Sequence, residues 1–87
     1  MLFINFGIKE AQLSQSYIMK LRNYGFSAEL YPDSVKINKQ MSYANKRNAR
    51  FVVMIGEEEV SNKNMTIKNM LTGNQESLTF EELIKTL

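Results

Sequence analysis

The chain has 87 residues, 44% of them hydrophobic, a formal net charge of +2, and neither cysteine nor histidine. That length holds one modest core and one domain, and the apolar content is too high for a disordered segment. Disulfides, thiolate metal sites and thiol catalysis are excluded, the commonest general base is missing, and no apolar run is long enough to span a bilayer.

The elements follow in chain order. Residues 2–6 form a short apolar run closed by Gly7 and read as a buried strand. Residues 9–24 carry Ala11, Leu13, Tyr17, Ile18, Leu21 and Tyr24 at helical spacings, and Gly25 supplies the stop. Residues 26–31 read as a second strand, ended by Pro32-Asp33, and residues 35–47 as a second helix. Residues 50–55 are β-branched and aromatic and should form the most buried strand. The run Glu57-Glu58-Glu59-Val60 is a turn or a short helical piece. Residues 65–71 and 75–78 flank Thr72-Gly73-Asn74, a hairpin signature. Thr79 caps a last helix over 80–86, with Glu82 completing a capping box.

The order is β-α-β-α-β-β-β-α. Two successive β-α-β units require parallel strands and right-handed crossovers. The expectation is an α/β fold: a five-stranded mixed sheet in the order 2-1-3-4-5, strands 1 to 3 parallel, flanked by three helices. In such a sheet ligands sit beyond the carboxyl ends of the strands where the winding reverses, here between strands 1 and 3. Glu57–Glu59 fall beside that crevice. They read either as a solvated acidic turn or as carboxylates that accept hydrogen bonds from base edges.

Residues 34–50 hold five basic residues and no acidic one. At about 100° per residue, Ile37, Met41 and Ala44 share one side of the helix, and Lys36, Lys39, Lys46 and Arg47 another, with Tyr43 among them. A basic face with one aromatic suits an RNA backbone and a stacked base, and equally suits a solvated helix surface. No glycine-rich phosphate loop is present, and no aspartate ends the first strand. The serines lack a histidine for a triad.

The stretch Lys39-Gln40-Met41-Ser42-Tyr43-Ala44-Asn45-Lys46-Arg47-Asn48-Ala49-Arg50-Phe51 resembles the KKQ-x-x-YADKRGARF segment of bacterial histidyl-tRNA synthetases. It runs into Val52-Val53-Met54-Ile55-Gly56-Glu57-Glu58-Glu59-Val60, similar to that family's strand followed by GE-x-E-L. Met65-Thr66-Ile67-Lys68-Asn69-Met70-Leu71-Thr72-Gly73 resembles its VTVKDL-x-TG hairpin. The resemblance implies the C-terminal anticodon-binding domain of a class II synthetase over residues 1–87, a fragment of a longer parent chain. It implies anticodon contacts at Glu59 and Lys68, and at Ser34 and Lys36 where the second helix starts. Lys39, Tyr43, Lys46 and Arg47, the rest of the basic face, would then hold the backbone of the anticodon stem. Many family members carry Gly-Arg where Ser34-Val35 stands. The implied partners are histidine tRNA and the parent's catalytic domain. The implied parent is a cytoplasmic homodimer using ATP and magnesium, with no cofactor in this domain. A free-standing protein- or RNA-interaction domain of the same fold is the alternative.

Overall fold

The computed structural model describes residues 1–86. Its elements are β1 (Leu2–Phe3), α1 (Ile8–Asn23), β2 (Glu29–Leu30), α2 (Ile37–Lys46), β3 (Phe51–Met54), α3 (Glu57–Asn62), β4 (Met65–Asn69), β5 (Gln75–Leu78) and α4 (Phe80–Thr86). The sheet order is β2-β1-β3-β4-β5. β1 pairs parallel with β2 and β3, and β4 pairs antiparallel with β3 and β5. The expected topology is therefore the observed one. The acidic run after β3 is helical, which brings the helices to four where three were expected.

The pleat divides the core. Phe3 and Val53 point to one face, where Ile18 and Leu21 of α1 and Leu83 of α4 meet them. Leu2, Ile4 and Val52 point to the other, where Ala44 of α2 covers them. Neighbouring residues on one strand face opposite ways, so a continuous apolar run such as Leu2-Phe3-Ile4 fits only a strand covered on both sides.

β1 and β2 are shorter than the sequence predicts, and each has a local cause. The Asn5 side-chain oxygen accepts the Gly7 N–H at 3.1 Å, and Gly7 takes φ 138°, a region open to glycine. That turn ends β1 before Phe6. On β2, the Phe26 N–H is held by the Leu21 carbonyl at the end of α1, so the extended segment starts later. The Tyr31 N–H still reaches the Phe3 carbonyl, and the chain then leaves at Pro32. Gln40 of α2 takes up the Asn5 backbone groups beyond that point.

Candidate nucleic-acid interface

α2 lies alone on its face of the sheet, over β1 and β3, with Gln40 and Ala44 buried. The buried stripe is turned relative to the sequence expectation. Ile37, expected inside, is exposed, and Gln40 is only 1% exposed. Helical periodicity of apolar residues has no means of finding a buried amide. Tyr43 is half-buried, its ring edge-on to Tyr31 at 5.1 Å between centroids. It therefore braces α2 against β2 and does not stand free among the lysines. Lys36, Lys39, Lys46 and Arg47 are exposed, with the Arg47 guanidinium 5.7 Å from the Tyr43 ring centre.

The start of α2 is electrostatically unusual. Lys36 occupies the N-cap with no side-chain cap bond, and the first turn has no acidic residue. A helix N-terminus carries partial positive charge and free N–H groups, so a cation there is unfavourable and an anion would relieve it. Ser34 is exposed nearby. It lines a cavity of about 240 Å³ with Gly7, Ile8, Pro32 and Asp33. This cavity lies between the loops that follow β1 and β2, whereas the sequence placed the crevice between strands 1 and 3.

Lys68 faces the α2 side of the sheet. It stands opposite Val52 on β3 and Gln75 on β5, and directly opposed residues share a face. Thr66 and Ser77 are the next pair on that face. α2 stops short of this part, so Gln75 and Ser77 are exposed and Thr66 and Lys68 half-buried. The result is a polar strip of sheet beside a basic helix.

Glu59 is partly committed to the fold. Its Oε1 accepts the Gly56 N–H at 2.9 Å, which satisfies an N-terminal donor of α3. Glu57 and Glu58 share this first turn, where the helix dipole favours carboxylates. α3 packs toward α1 and β4. Val52, opposite Lys68, lies four residues before Gly56, or roughly 13 Å at about 3.3 Å per residue. Glu59 and Lys68 are thus separate points on the molecule, one on α3 and the other on β4.

A two-sided mixed sheet with a basic, singly placed helix beside an open polar strip defines an α/β module suited to single-stranded or looped RNA. The model of the family described as anticodon binding domain matches residues 2–87, and the chain belongs to that family. It is 46% identical to a histidine–tRNA ligase of Flavobacterium johnsoniae over 99% of this chain and 18% of that protein. With that of Bacteroides fragilis it shares 48% identity over 100% of this chain and 19% of that protein. The chain thus spans about a fifth of the length of these relatives. Histidyl-tRNA synthetase from S. aureus superposes with a TM-score of 0.84 at 30% identity, covering 98% of this chain and 22% of that one. The synthetase from Nostoc sp. PCC 7120 gives 0.91 at 21% identity over 98% of this chain and 20% of that one, a likeness of fold alone.

Proposed function

We propose that this chain is the anticodon-recognition module of a histidine–tRNA ligase. The observation that carries the reading is near-complete coverage of the chain by histidine–tRNA ligases at up to 50% identity. The geometry supports it. Lys68 stands on the open strip, Glu59 keeps a second carboxylate oxygen beyond the one bound to Gly56, and Ser34 and Lys36 flank an uncapped helix start. In this reading Glu59 and Lys68 contact anticodon bases, Ser34 and Lys36 contact the loop, and Lys39, Lys46 and Arg47 hold the backbone. Tyr43 acts mainly by supporting the Arg47 guanidinium.

The attachment of histidine, with its ATP and magnesium, belongs to a catalytic domain of the parent. Among the described residues no three His, Cys, Asp or Glu side chains are grouped so as to hold a metal. The parent would be a homodimer working in the cytoplasm. Among the described residues no helix is long and apolar enough to cross a membrane.

The test is titration of labelled histidine tRNA into the chain at low salt. Saturable binding that weakens when the anticodon is substituted supports the proposal. Absence of binding at low salt, or indifference to the anticodon, overturns it.

A further inference from the structure

Of the three consecutive carboxylates after β3, the fold holds one. Glu57 and Glu58 are exposed, and their side chains make no hydrogen bond among the described residues. Glu59 is half-buried and held at both ends. Its carbonyl accepts the Asn64 N–H at 3.1 Å, and its carboxylate Oε1 accepts the Gly56 N–H at 2.9 Å. Gly56 is the N-cap of α3 and Glu59 the third residue after it, the position from which a side chain reaches back to the cap. Folding thus bears the loss of rotamer freedom at Glu59 before any ligand arrives. Oε2 makes no hydrogen bond among the described residues, so it is the oxygen left for a donor on a base.

The backbone does not require a glycine at position 56. Its φ of −95° and ψ of −166° are extended, a conformation open to any L-residue. A side chain would change the space instead. A Cβ at Gly56 would stand 3.3 Å from Glu59 Oε1, inside ordinary van der Waals contact. Its two chain neighbours aside, that Cβ would meet no other described atom within 4 Å. The missing methyl is therefore the room into which the carboxylate folds back. Filling it displaces Oε1 by a few tenths of an ångström and turns Oε2 with it. Hydrogen bonds weaken steeply as their angle closes, so a bond made by Oε2 would feel that turn.

We propose that Gly56 is a positioning residue for base recognition. Because it carries no side chain, its own N–H can hold Oε1 of Glu59, and this aims Oε2 at a donor edge of an anticodon base. The assignment rests on the reading of Glu59 as an anticodon contact. It singles out Glu59 from Glu57 and Glu58 by a bond that neither of them makes.

The experiment measures the affinity of the chain for histidine tRNA and for the same tRNA with a substituted anticodon, and takes the ratio. Gly56→Ala should melt within about 5 °C of the original chain, because a less flexible unfolded state offsets a weakened cap. The affinity ratio should nevertheless fall about fivefold, the worth of one misplaced hydrogen bond. In a Glu59→Ala background the same substitution should leave the ratio where it is, since the oxygen it crowds is gone. A ratio unmoved by Gly56→Ala, or an equal fall in both backgrounds, overturns the proposal and leaves the anticodon reading standing. A ratio of one for the original chain, or no binding at low salt, removes both. If Gly56→Ala melts early, hydrogen exchange of the original chain decides. The Gly56 amide should be protected in the free chain and stay protected in the tRNA complex. An amide that exchanges freely once tRNA is bound shows that the carboxylate has left Gly56, and that overturns the proposal.

Discussion

Gln40 pairs with Asn5 as a neighbouring strand would. Its Oε1 accepts the Asn5 N–H at 2.7 Å, and its Nε2 donates to the Asn5 carbonyl at 2.9 Å and to the Val35 carbonyl at 2.9 Å. The Asn5 side chain meanwhile donates to the Tyr31 carbonyl at 3.0 Å. One amide therefore fixes α2 to the end of β1, and with it the position of the whole basic face. Gln40→Leu keeps most of the volume and strands three backbone groups. Each unpaired buried group costs about 1–3 kcal/mol before water intrudes, so a loss on the order of 3 kcal/mol is expected. For a domain this small that lowers Tm by roughly 10–20 °C. An unchanged melting curve would show that solvent reaches these groups.

Much of the fold was legible because the sheet is covered on both faces and its strands are correspondingly apolar. Val52 and Val53 point to opposite cores, so the 50–55 run had to be central. The hairpin and the Thr79 cap rest on local chemistry that a sequence displays directly. What the sequence did not display were polar side chains doing backbone work. Gln40 was invisible among the lysines of α2, and it rotates the buried stripe so that Tyr43 turns inward and Ile37 outward. The acidic run was ambiguous because Glu59 can serve both α3 and a ligand.

Val53 is fully buried between β1 and β4, opposite Ile67. Val53→Asp places a carboxylate there with no polar partner in the surrounding core cluster. The expected outcome is an unfolded chain at neutral pH by circular dichroism. A cooperative melt near that of the original chain would mean that β3 is not central.

Ser14 behaves in the opposite sense. It is 1% exposed, on the inner side of α1, and its hydroxyl has no hydrogen-bond partner among the described residues. Burying an unpaired hydroxyl costs roughly 1–3 kcal/mol by protein mutational measures, and alanine is the better helix former. Ser14→Ala should therefore raise the midpoint of urea unfolding, by on the order of 1 kcal/mol in stability. A clear loss of stability would reveal a hidden partner for the hydroxyl.

Glu59 and Lys68 are expected to separate stability from recognition. Glu59→Ala removes the acceptor of the Gly56 N–H and should cost about 1 kcal/mol, as loss of a helix cap does. Lys68 is held in β4 through its backbone and its side chain makes no hydrogen bond among the described residues, so Lys68→Ala should melt within about 0.5 kcal/mol of the original chain. In the parent ligase both are expected to slow charging of histidine tRNA. Glu59→Gln keeps an acceptor for Gly56 and restores the fold, so any charging defect that persists belongs to the RNA. Normal charging by both alanine variants would remove the pair from the site.

The pH response of α4 has a definite sign. Glu82 accepts the Thr79 N–H at 2.9 Å, and the Thr79 hydroxyl oxygen accepts the Glu82 N–H at 3.3 Å. The Thr79 backbone bond chiefly, then its side chain, holds the Glu82 carboxyl below its usual 4.5. A carboxylate whose pKa is depressed by folding stabilises the native state above its unfolded value, and that contribution fades as pH falls through the folded value. Glu82→Gln retains an acceptor but does not titrate. The stability difference between the original chain and this variant should be constant at neutral pH and shrink below about pH 4.5, the range over which the group titrates. The Glu82 side-chain carbon signal should have its midpoint below 4.5 and move upward in Thr79→Ala. A difference that grows on acidification would mean that the charged form gains nothing from the cap.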